Sequence, residues 1–201
     1  MMKLERGFKS WSERLSAGIR RDLDLPPHAP LPPSVLAEYL GVRLLTPQAI
    51  PGLSPGDLRQ LIEGDPWGWS AVNQVVDGRI TVIYNPRHSP GRQASNVAHE
   101  LAHVLLEHEA GRIILSHDGG IAMRTYDEQQ EAEAGWLSGC LLLPRVALLL
   151  GIRAGSSPGD LAAEYGVSEP LVNYRFRITG VAIQHRRMKR GATRRTVQRS
   201  S

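Results

Sequence analysis

The sequence predicts an α+β fold: a small mixed sheet backed by a long helix, followed by a short helical pair. Three observations carry this expectation. Two runs rich in β-formers, Trp69 to Val76 and Arg79 to Tyr84, are joined by Asp77-Gly78, a dipeptide suited to a tight hairpin turn. The next segment places Val97, Leu101, Val104 and Leu105 at helical spacing behind Ser89-Pro90, an N-cap followed by proline at the first helical position. Further on, Ser157-Pro158 and Ser168-Glu169 are N-cap signals on either side of a turn at Gly166-Val167.

The remaining elements follow in chain order. Leu4, Phe8, Trp11, Leu15, Ile19 and Leu23 recur every three or four residues, so residues 3–24 read as a helix burying that stripe. Five prolines between Pro26 and Pro33 form a stiff linker, and a helix restarts at Ser34 and ends at Gly41. Val42 to Leu45 reads as a short strand, and Ser54-Pro55 opens a short helix over Gly56 to Ile62. The long helix spans Pro90 to His108; Arg112 to Leu115 is a further candidate strand, followed by a polar loop from His117 to Tyr126. Asp127-Glu128-Gln129-Gln130 has the form of a capping box and starts a helix that Pro144 ends. On it Glu131, Gly135, Ser138 and Leu142 share a face, and Gly135, a poor helix former, is expected to permit close approach of another helix.

The chemistry is concentrated in His99-Glu100-Leu101-Ala102-His103. Positions four apart lie on one helix face, so both imidazoles can address one ion while Glu100 stands beside it. A carboxylate there can take a proton from a metal-activated water and pass it to a leaving amine, which is peptidase chemistry. Two histidines leave such a site one ligand short, since catalytic zinc sites use three protein ligands and keep a fourth position open. The downstream candidates are His108, His117, Glu128, Glu131 and Glu133; the position six residues after His103 is Glu109, which removes the all-histidine arrangement. A carboxylate on the next helix fits best. Glu131 shares the face of Gly135, whereas Glu133 points about 160° away at roughly 100° per residue. The alternative is that Glu131 only caps or solvates its helix.

The segment Glu131-Ala132-Glu133-Ala134-Gly135-Trp136-Leu137-Ser138-Gly139-Cys140-Leu141-Leu142-Leu143-Pro144, together with the His-Glu-x-x-His helix, resembles the signature of the ImmA/IrrE metallopeptidases. Gly135 stands where those proteins carry an amide or acid, Leu137 where they carry Phe, and Leu143 where they carry Met. Leu161 to Arg175 resembles their helix-turn-helix-like segment. The resemblance implies a zincin-like catalytic core and Zn2+ held by His99, His103 and Glu131, with Glu100 as general base. It also implies a protein substrate, commonly a DNA-binding repressor in a stress or mobile-element circuit. The expected organisation is an N-terminal helical region (1–50), the metallopeptidase core (51–153), the helix-turn-helix-like segment (154–184) and a basic tail (185–201).

Composition narrows the alternatives. No stretch reaches the roughly 18 apolar residues of a membrane span, and no secretory signal is visible, so a cytoplasmic protein without a membrane partner is expected. The last 17 residues hold seven of the 24 basic residues and no acid, a composition expected to be disordered and able to touch nucleic acid. DNA is therefore a secondary candidate partner, and a DNA- or protein-binding regulator with a structural or sensory metal site is the competing function. The helical pair can enter a DNA groove or pack on the core, and Glu169, Pro170 and Leu171 at the start of its second helix favour packing. Cys140, the single cysteine, lies among leucines and reads as a buried hydrophobe, not a nucleophile. Tyr126, Tyr174 and Arg175 are candidate oxyanion donors.

Overall fold

The computed structural model describes residues 4–64, 68–108 and 127–185. The candidate strand at 112–115, the polar loop 117–126 with Tyr126, and nearly all of the basic tail lie outside the described residues. The observed order is α1 (Phe8–Asp22), α2 (Pro33–Tyr39), β1 (Arg43–Leu45), α3 (Pro55–Arg59), β2 (Ala71–Val76), β3 (Arg79–Tyr84), α4 (Pro90–Leu105), α5 (Glu128–Leu142), α6 (Arg145–Ala154), α7 (Pro158–Tyr165) and α8 (Glu169–Thr179). The three strands form one mixed sheet in the order β1-β3-β2, with β1 parallel and β2 antiparallel to the central strand. The architecture is thus the helix-rich α+β fold with a small mixed sheet that the sequence predicts.

Local chemistry sets the connections. Asp77 and Gly78 both have positive φ, 52° and 71°, as a type I′ turn requires, and this turn fixes the register Val76↔Arg79. Serines cap three helices by accepting backbone N–H groups: Ser54 from Asp57, Ser157 from Asp160 and Ser168 from Leu171. Asp127 does the same for α5, accepting from Gln129 and Gln130. At the end of α4 the chain makes a Schellman turn, in which Glu107 N–H bonds Val104 C=O and His108 N–H bonds His103 C=O. Its left-handed residue is Glu107 at φ 52°, where a non-glycine side chain costs on the order of 1 kcal/mol. The helix therefore ends three residues earlier than its sequence pattern suggests, and His108 folds back over it.

Two apolar clusters build the interior. One joins Ile19, Leu31, Leu36 and Val42 to Val82 of the sheet and to Leu101, Leu137 and Leu141 of α4 and α5. The other joins Ala98 and Leu143 to Leu148, Leu161, Val167, Val172 and Val181. The central helices α4 and α5 serve both, and each packs along the other. Among the described residues no single helix is long and apolar enough to cross a membrane.

The face that α1 buries differs from the stripe read in its sequence. Ser12, Ser16, Ile19 and Arg20 are buried, while Trp11 is 38% exposed. The reason is the end of α5, which terminates inside the protein with carbonyls that need donors. Ser16 Oγ donates to Cys140 C=O at 2.7 Å, and Arg20 Nη2 donates to Leu141 C=O at 2.7 Å. From the other side, Arg175 Nε of α8 donates to Leu143 C=O at 3.1 Å, and its Nη2 meets Glu13 Oε1 at 2.8 Å. Burial pushes the Arg20 guanidinium down to about 10, so it stays charged at neutral pH. Arg175 is fully buried in this network, which removes it as an oxyanion donor and pins α8 to the core.

Gly135 also departs from expectation. A Cβ there would meet nothing within 4 Å, so this residue is not where helices approach closely. The glycine that lies tight against backbone is Gly91, where a Cβ would stand 2.8 Å from Ser168 N and from Val167 C in the turn between α7 and α8; at Gly151 and Gly139 the close neighbours are side-chain atoms of Leu161 and Arg175. Gly91→Ala is expected to destabilise by about 1–3 kcal/mol, since backbone on both sides must shift. Gly135→Ala is expected to stabilise by about 0.4–1 kcal/mol by restricting the unfolded chain. Urea midpoints of the two variants check both signs. Burial also pushes the Cys140 thiol up to about 12. In native protein at pH 8 it should resist a disulfide reagent and react only as fast as the chain unfolds, which a stopped-flow thiol assay reads.

Candidate metal centre

The helical spacing of the motif places His99 and His103 one turn apart on α4, and α5 lays Glu131 across them. His99 Nε2 stands 3.1 Å from His103 Nε2 and 3.0 Å from Glu131 Oε2, and His103 Nε2 stands 3.4 Å from Glu131 Oε1. Around a tetrahedral ion with bonds of 2.0–2.1 Å, neighbouring ligand atoms stand about 3.3–3.4 Å apart. The His99–His103 edge of 3.1 Å comes close to that, Glu131 faces one histidine with each of its carboxylate oxygens, and with one ligand atom from each residue all three lie within 4.8 Å of one another; two imidazoles and one carboxylate are a donor set that zinc accepts. Among the described residues this is a group of three able to converge on one ion. Glu131, which the sequence argument selected over Glu128 and Glu133, is the carboxylate that joins the histidines.

The surroundings suit a positive ion that must also be reached. His103 lies in the last turn of α4, where the partial negative charge of the helix end favours a cation. The positive N-terminal end of α5 faces the same region, and its first turn carries Glu128 and Glu131 to offset it. The His103 side chain is buried, while those of His99 and Glu131 are 29% and 26% exposed, so the centre opens to solvent on their side.

Glu100 is buried beside the trio, not within it. Its Oε2 accepts a hydrogen bond from Asn73 Nδ2 of β2 at 2.8 Å, which ties the motif carboxylate to the sheet. Sequence reasoning missed Asn73, because a single amide in a strand carries no pattern of its own. The hairpin lies beside the motif helix. A cavity of about 240 Å³ between them is lined by Asn73, Gln74, Val75, Ile80, His103, Val104, Glu107 and His108. The strand facing it, β2, is one of the two edge strands of the sheet among the described residues. Of the candidate oxyanion donors, Tyr174 lies on the exposed side of α8 with the Arg177 guanidinium 5.5 Å from its ring centroid.

Of the three rejected ligand candidates that can be placed, Glu128 is exposed at the start of α5, while His108 and Glu133 back the centre from behind. His108 Nδ1 stands 2.9 Å from His103 Nδ1, and His108 Nε2 stands 3.4 Å from Glu133 Oε2.

Among known families, residues 62–177 match the model described as the IrrE N-terminal-like domain, peptidase M78. That is more than half of the chain. No curated protein matches it. A solved structure of a Mycobacterium tuberculosis transcriptional regulator is 15% identical over 86% of this chain and 47% of its own, with a TM-score of 0.48. The chain spans about half the length of that structure.

A converging trio of this kind should take up one divalent ion per chain. With free zinc at about 100 times Kd, the native state gains about 2.7 kcal/mol, seen as a rise in melting temperature. Replacing His99, His103 or Glu131 singly by Ala should abolish most of that rise, and metal analysis after gel filtration checks the stoichiometry.

Proposed function

The chain belongs to the IrrE N-terminal-like peptidase family, and from that premise we propose that it is a zinc-dependent endopeptidase that cuts a regulatory protein. In this reading His99, His103 and Glu131 hold the ion and Glu100 is the general base. The observation that carries it is the convergence of those three side chains beside a buried carboxylate that a strand residue holds in place. A purely structural metal site has no use for that carboxylate.

When bound, the ion supplies Lewis acidity, lowering the pKa of water and polarising a carbonyl. Glu100 receives the proton of the attacking water on its carboxylate and returns it to the leaving nitrogen. Asn73 fixes the rotation of that carboxylate by donating to Oε2, so the group is aimed before substrate arrives. The outer strand β2 offers its main chain to an extended peptide, which gives affinity with little demand on side chains. Val75 and Ile80, 71% and 42% exposed, provide apolar surface next to that path.

The substrate class follows from family resemblance: a DNA-binding repressor, encoded near this chain, whose cleavage releases a stress or mobile-element circuit. In this picture α7 and α8 pack on the core, with Val172 and Arg175 turned inward, and do not read DNA.

Incubation of the zinc-loaded protein with a neighbouring repressor should give a discrete cut. Glu100→Gln should lower the rate by about 10²–10⁴-fold while the metal stays bound, and Asn73→Ala should lower kcat with metal content unchanged. Retained cleavage by Glu100→Gln would refute the mechanism; gel assays with parallel metal analysis decide it.

A further inference from the structure

We infer that His108 and Glu133 are positioning residues that orient His103 and strengthen it as a metal ligand, through a hydrogen bond from His103 to His108 and the Glu133 carboxylate behind it. The inference rests on the metal reading of the site and concerns residues that lie outside the ligand trio.

Both ring nitrogens of His103 are engaged. Nε2 faces His99 and Glu131, and Nδ1 faces His108 Nδ1 at 2.9 Å. Two imidazole nitrogens at that distance share one proton, and only one assignment suits a ligand. If the lone pair of His103 Nε2 is given to an ion, the neutral ring carries its proton on Nδ1 and donates it to His108. His108 then carries its own proton on Nε2, which faces the Glu133 carboxylate as a close charged contact, Oε2 standing 3.4 Å away. The Gln129 side-chain amide donates to Glu133 Oε1 and holds that carboxylate in place. The opposite assignment puts the His103 proton on Nε2, removing the lone pair, and turns a bare His108 nitrogen toward a carboxylate.

The backbone is built to make this contact. The Schellman turn with its strained Glu107 brings His108 back over His103. Because His108 lies beyond the end of α4, it meets a different face of α5 from the one the motif histidines meet. That is how Glu133, about 160° around the helix from Glu131 at roughly 100° per residue, still reaches the centre. His108 and Glu133 side chains are 8% and 18% exposed, so solvent competes little for these bonds.

The test is zinc affinity of the full-length protein, measured by competition with a chromophoric chelator, together with the visible spectrum of the cobalt-substituted form and the melting temperature of the metal-free form. His108→Phe should weaken zinc binding by about 10–100-fold and shift the cobalt bands. His108→Asn, whose Oδ1 can accept from His103 Nδ1 at the same place, should recover most of the affinity. Glu133→Leu should weaken binding in the same direction and add little to His108→Phe in the double variant. Affinity within about twofold of the parent in His108→Phe overturns the inference, as does a loss that Asn does not recover and that parallels a fall in metal-free melting temperature. A parent protein that binds zinc while these variants bind equally well refutes only this inference; a parent that binds none refutes the metal reading with it.

Discussion

The structure depends on satisfying the buried C-terminal end of α5. This helix is enclosed from Trp136 to Leu142 and stops where water cannot pair its last carbonyls, so protein donors must. Ser16, Arg20 and Arg175 supply them, from helices near opposite ends of the described chain. Two guanidinium groups are a costly choice for a core, yet Arg20 finds four acceptors and Arg175 finds Leu143 C=O and Glu13, and both lie at the negative end of the helix. With its far end fixed in this way, α5 is held along α4, and Glu131 at its near end is held over the two histidines. The anchored end and the end that carries Glu131 are thus two ends of one rod.

The site was legible in the sequence wherever a local rule governs it. Helical periodicity put His99 and His103 on one face, and the 3.6-residue turn separated Glu131 from Glu133. Asp77-Gly78 could adopt the two positive φ values of its turn for reasons internal to that dipeptide. What escaped is governed by partners far along the chain. The polar face of α1 makes sense only against carbonyls some 120 residues away, and no hydrophobic pattern encodes a serine that is buried because a distant helix ends beside it. Asn73 and Glu100, 27 residues apart, meet only once the sheet lies on α4.

Two positions depart from what local sequence suggests for a different reason. Gly135, a poor helix former on the face of Glu131, reads as a close-packing position, yet a Cβ there meets nothing, whereas at Gly91 in the first turn of α4 it would meet backbone. Glu107 gave no hint of ending a helix, since the left-handed position it occupies usually falls to glycine. The consequence at the metal centre is large for so small a deviation. The turn it makes determines that His108 lies behind His103 and not along the helix axis beyond it.

The pairing of Glu13 with Arg175 spans 162 positions, and Arg175 is also the donor for Leu143. A ribosome delivers α4 and α5 well before residue 175 has left the exit tunnel, so on the growing chain the end of α5 waits for its last donor. Contacts of such long sequence separation form late and slow the search for the native state. The last donor for the end of α5 is thus supplied only once α8 has been made, and synthesis itself sets the earliest moment at which that anchor can close.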